Sequence, residues 1–121
     1  MDIEFLIQSD LQERLGYWQK RLRLQDWDVE IKVVRHYDTT EEDVRAYVEF
    51  CDNKRTARIT FVDPADLGPE RWPVESLEQS LVHELLHLHM RGFEPKADTP
   101  AYTAMEQAVH ALAGALTSDE Q

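Results

Sequence analysis

His83-Glu84-Leu85-Leu86-His87 is the stretch whose residue types and spacing point most directly to chemistry. On an α-helix, residues four apart lie one above the other, so His83 and His87 can aim two imidazole nitrogens at one point. That donor pair suits a zinc ion. Glu84, about 100° further round the helix, is placed to act as general base toward a water polarised by the ion. The composition alone would produce the pattern about 0.02 times in a chain of this length, so the match carries information.

The surroundings add to it. Ser80 to Leu88 is apolar nearly all the way round a helix, which marks the helix as buried. Unpaired imidazoles and an uncompensated carboxylate are costly in such an interior. Two core histidines bonded to backbone, with a glutamate reaching solvent, is the alternative. The three polar groups share one stripe of an oily helix, which favours the metal.

Two histidines do not complete such a centre. A catalytic zinc site has three protein ligands and an open fourth position. Between Ala101 and Thr117 the only charged side chain is Glu106, eighteen residues beyond His87. Glu106 is therefore the expected third ligand. His110, one turn further along the same face, is its rival. Tyr102, one turn before Glu106, is placed either to stabilise a developing oxyanion or simply to pack. His89 is expected to face away from the centre, and His36 has no evident partner.

The elements that must position these groups follow from periodicity. Ile3, Leu6, Ile7, Leu11, Leu15, Trp18 and Leu22 recur at three and four, predicting an amphipathic helix from Asp2, its N-cap, to about Arg23. Val29, Ile31 and Val33 alternate with polar residues in a strand over about 27–35, with Trp27 plugging the corner between helix and sheet. Residues 37–43 read as a loop. Strands over 44–50 and 55–62, joined by Cys51-Asp52-Asn53-Lys54, make a hairpin. The second, with Ala57, Ile59 and Phe61 on one face, is expected at an exposed edge, positioned to bind an extended peptide. Cys51 reads as a small buried hydrophobe.

Residues 63–69 are dense in turn formers. The histidine helix then runs over about 74–90, with Glu75 and Glu78 in its first turn and Gly92 after its end. Phe93 to Asp98 is a short connection. Thr99-Pro100 is an N-cap followed by an N1 proline, opening the apolar helix that carries Glu106. The expected fold is α+β: an N-terminal helix, a small three-stranded and mostly antiparallel sheet, a buried histidine helix and a buried C-terminal glutamate helix. Residues 1–117 form one domain, and 118–121 are a disordered tail.

Composition narrows the partners. The chain has 121 residues, 42% hydrophobic and 31% charged, enough for one core. A net charge of -11 repels phosphate backbones and anionic lipid, so neither nucleic acid nor membrane is an expected partner. Lys54, Arg55 and Arg58 read as a hairpin tip. The acidic start without a signal-like segment and the single cysteine lead us to expect a cytoplasmic protein.

The arrangement His83-Glu84-x-x-His87, eighteen residues, Glu106 resembles that of the gluzincin metallopeptidases, and the size and the Leu24 to Val33 opening are similar to small phage-type and SprT-like metallopeptidases. The resemblance implies a zincin-like fold and one Zn2+ per chain on His83, His87 and Glu106. It also implies a peptide or protein substrate hydrolysed by zinc-polarised water, with Glu84 as general base. It further implies a supporting role for His110, orienting His83. A metzincin would have Gly at position 90 and His at 93, where this chain has Met90 and Phe93. Only about thirty residues follow the histidine helix, fewer than the larger gluzincins use to build a cleft. A latent or inactive zinc-scaffold binding module is therefore the alternative. A zinc-dependent endoribonuclease, faintly echoed by His87-Leu88 and Gly92-Phe93-Glu94, fits less well.

Overall fold

Leu11, Leu15 and Trp18, spaced by four and three, are all buried, and they turn the N-terminal helix into one wall of the core. The computed structural model describes residues 3–35, 46–62 and 76–118. The first helix, α1, spans Ile3–Arg21. It ends in a Schellman motif: Arg23 takes a positive φ of 62, Leu24 N–H donates to Gln19 O at 2.7 Å, and Arg23 N–H donates to Lys20 O at 3.3 Å. Leu24, at 2% exposure, supplies the apolar contact that accompanies such an ending. Gln19 Nε2 then bonds the carbonyls of Leu24 and Trp27, fixing the path into the first strand.

That strand, β1, spans Asp28–Val34 with Val29 and Ile31 buried between exposed neighbours, as the alternation predicts. β2 (Ala46–Cys51) and β3 (Thr56–Val62) form the expected antiparallel hairpin. Trp27 fills the corner. It lies edge-on to Phe50, 6.3 Å between centroids, with the guanidinium of Arg91 over its ring at 5.1 Å.

Two expectations about the sheet fail. β1 pairs with β3 in parallel, Val29 opposite Ala57 and Ile31 opposite Ile59, so the sheet is mixed rather than mostly antiparallel. The order is β1-β3-β2, so β3 is the central strand and not an edge. The burial of Ile59, Thr60, Phe61 and Val62 in succession is the signature of a strand covered on both faces, and alternation alone does not capture it. Cys51, expected inside, is exposed because it ends β2 at the open turn Asp52–Arg55. Arg55 pairs with Asp26 and Arg58 with Glu30, so the basic cluster belongs to the hairpin and its neighbours.

The second helix, α2, spans Ser76–Met90, and Leu77, Leu81, Val82, Leu85, Leu86 and Leu88 are all buried. Glu78 in its first turn accepts from Trp18 Nε1 at 2.7 Å and from Arg14 Nε at 2.5 Å, locking α2 to α1. The third helix, α3, spans Pro100–Ser118; Thr99 Oγ1 caps it by accepting from Tyr102 N–H at 3.1 Å. α3 is apolar but not buried. Val109, Ala113 and Thr117 are its buried residues, because it packs by one narrow stripe on α2. The described part of the chain is thus α+β, with three helices and one mixed sheet.

No helix among the described residues is long and apolar enough to cross a membrane. The Asp2 cap, His36, the loop over 37–43, the turn over 63–69, the expected helix start at 74–75 and residues 119–121 of the expected tail lie outside the described residues, whereas Ser118, expected to open that tail, ends α3.

Candidate metal centre

α2 is held so firmly by its leucines that its polar stripe has one orientation available. Leu81, Leu85 and Leu88 are 0% exposed, and they turn His83, Glu84 and His87 toward the space between the sheet and α3. The two imidazoles sit one turn apart, tilted 51° to each other with 5.1 Å between centroids. One ligand atom from each of His83, Glu84 and His87 lies within 4.8 Å of the others.

Glu106 reaches the same point from α3. Its Oε2 is 3.5 Å from His83 Nε2 and its Oε1 is 2.8 Å from His87 Nε2. Oε1 is nonetheless buried without a hydrogen-bond partner. A buried oxygen left in this state is costly, and a cation between the carboxylate and the two nitrogens would satisfy it. Two imidazoles and a carboxylate are also the donor set of a three-ligand zinc centre. The residues present therefore fit the ion.

The electrostatics agree with that fit. Burial is the main cause lowering the pKa of His83, and His87 and His110 push the same way against the opposing pull of Glu106. The imidazole is thereby biased to the neutral form in which histidine binds metals. Burial, with lesser contributions from Glu106 and Glu94, raises Glu84 to about 8. Tyr102 is raised first by burial and then by the carboxylates of Glu106, Glu94, Glu84 and Asp98, so its hydroxyl keeps its proton at neutral pH.

These groups open into a cleft of ≈ 380 Å³ walled by Ala46, Val48 and Phe50 of β2 on one side and by Tyr102 and Glu106 of α3 on the other. None of its described lining residues is Lys or Arg, while Glu84, Glu94 and Glu106 all contribute to it, a field that favours a cation.

Of the site residues expected from the sequence, His83, Glu84, His87, Glu106 and Tyr102 come together. His110 stands outside that cleft: it is exposed, sits edge-on to His83 with 6.3 Å between centroids, and lines a neighbouring hollow with His83, Tyr102 and Glu106. His89 faces away, as expected, and its Nε2 lies 2.6 Å from Leu22 O. Sequence reasoning missed Glu94, whose Oε1 is 2.9 Å from His87 Nδ1. A carboxylate within a few residues of the histidine helix, in a connection short enough to fold back on it, is the signal that could have drawn notice.

No protein-family model matches the chain, and neither a curated protein sequence nor a solved structure is similar to it.

Proposed function

We propose that this chain is a zinc-dependent peptidase of zincin-like architecture, taking one Zn2+ on His83, His87 and Glu106. The observation that carries the reading is the meeting of both Nε2 atoms with one carboxylate, beside a buried glutamate in an open cleft. The element order supports the same architecture: a helix, a small sheet, a histidine helix and a glutamate helix.

Zinc bound there would polarise a scissile carbonyl and make water acidic enough to attack it near neutral pH. Glu84 accepts the proton that the attacking water releases and hands it to the departing amine. Its burial keeps bulk water from competing for that proton, and its titration, raised to about 8 by that burial, would move down toward the ionised form a base requires if a cation were bound beside it. The Tyr102 hydroxyl, protonated and facing the cleft, donates a hydrogen bond to the developing oxyanion. Substrate is an extended peptide lying along β2, which pairs with β3 on one side and with no described strand on the other. The expected peptide-binding edge thus moves from β3 to β2.

Metal analysis of purified protein should return about one zinc per chain, and Glu84→Gln should retain the zinc while losing all cleavage of a peptide library. Absence of zinc after refolding with the metal would sink the reading. So would cleavage that survives Glu84→Gln. Cleavage of structured RNA with peptides untouched would transfer the site to the endoribonuclease class, and zinc without any hydrolysis would leave a binding module.

A further inference from the structure

Glu94 belongs to the connection between α2 and α3, and nothing in the peptidase reading above uses it. Its Oε1 lies 2.9 Å from Nδ1 of His87, on the side of the ring opposite Glu106. A carboxylate oxygen can only accept here, so the hydrogen resides on Nδ1. Nε2 is then bare. It faces Glu106 Oε1 at 2.8 Å, and that oxygen is buried without a hydrogen bond.

The connection is also clipped at both ends. Arg91 Nε donates to Asp52 Oδ1 of the hairpin turn at 2.7 Å, and Arg91 Nη1 donates to Leu88 O at 2.7 Å. Phe93 N–H donates to Met90 O at 3.0 Å. At the far end Thr99 Oγ1 donates to Lys96 O at 2.7 Å while capping α3. Between these anchors Glu94 is carried back over His87.

We propose that Glu94 is a positioning residue that holds His87 in the tautomer with Nδ1 protonated and Nε2 free to ligate, so that the clipped 91–99 connection sets the zinc affinity of the centre. The proposal rests on the metal reading above. Outer carboxylates on ligating histidines fix both ring orientation and tautomer, and removing one costs about 10–100-fold in affinity. The interaction also raises the basicity of the ligating nitrogen.

The test uses the 121-residue chain in wild-type, Glu94→Ala and Glu94→Gln forms, with circular dichroism to establish equal folding. Zinc affinity is measured by competition with a chromophoric chelator, and the His87 tautomer in metal-free protein is read from its ring 15N shifts. Glu94→Ala should weaken zinc about 10–100-fold and abolish the single Nδ1–H tautomer. Glu94→Gln, whose amide oxygen still accepts, should recover most of both. Equal zinc affinity in wild type and Glu94→Ala would overturn the assignment while leaving the metal reading intact. Equal losses in both variants with an unchanged tautomer would also overturn it, in favour of direct ligation. Wild-type protein that binds no zinc would sink the metal reading, and with it the affinity part of this proposal.

Discussion

Oε1 of Glu106 lies 2.8 Å from Nε2 of His87, buried, and the two share no hydrogen bond. Under the proposed zinc reading both atoms are ligands of one cation. Glu106→Gln should therefore lower zinc affinity by more than the roughly 10–100-fold that loss of an outer-shell partner costs, and His110→Ala by less. Chelator competition checks both, and the opposite ranking would make His110 the third ligand. Without metal the sign reverses. The metal-free Glu106→Gln protein should melt at a higher temperature than the metal-free wild type, because a carboxylate facing Glu84 and Glu94 has been neutralised.

Glu84 gives a pH dependence of defined direction. Its pKa is raised from 4.5 to about 8 in the fold, so the folded state binds the proton more tightly than the unfolded chain. Below about pH 4.5 the group is protonated in both states and costs nothing. As pH rises toward 8 the metal-free protein should lose stability, by at most about 5 kcal/mol on conversion of the shift. Urea midpoints of metal-free protein between pH 5 and 8 should therefore fall, and Glu84→Gln should flatten the slope. A wild-type midpoint that rises across this range would contradict the raised pKa.

How much of this was legible beforehand depended on whether the determinant was local. The four-residue spacing of His83 and His87, the Thr99-Pro100 cap and the alternation of Val29 and Ile31 are set by neighbours in the chain, and each appears as expected. Glu106 was legible because one charge in an apolar helix needs a reason. The parallel pairing of β1 with β3 was not, because it joins segments about thirty residues apart, and no local pattern encodes which distant strand is the neighbour. The shallow packing of α3 was also hidden: an apolar helix reads as buried, whereas here one stripe of Val109, Ala113 and Thr117 is enough to dock it. Glu94 escaped because a half-exposed glutamate in a connection carries no periodic signal until the fold brings it to His87.

The junction of α1 and α2 rests on a buried polar contact that can be tested separately from the metal. Trp18 is 0% exposed and its indole N–H donates to Glu78 Oε1 at 2.7 Å. Glu78→Ala leaves that donor buried and unsatisfied, which should cost about 1–3 kcal/mol in denaturant titration. Trp18→Phe in the Glu78→Ala background should recover part of the loss, since the orphaned donor is removed with the indole. Zinc affinity per folded molecule should stay unchanged, because Glu78 lies one end of α2 away from the histidines.

Peptide binding along β2 makes a prediction that separates substrate from metal. Val48 projects from β2 into the cleft beside His83 and Glu84, opposite Ile59 in the register, whereas Glu49 is exposed and lies outside that cleft. Val48→Asp adds a fourth carboxylate to an apolar wall and should lower kcat/KM on peptides about tenfold or more, the scale at which apolar pockets discriminate. Glu49→Gln should leave the rate unchanged, and both variants should keep one zinc per chain. If substrate instead approached from the α3 side, the Val48 variant would cleave at the wild-type rate and the β2 edge would play no part in binding.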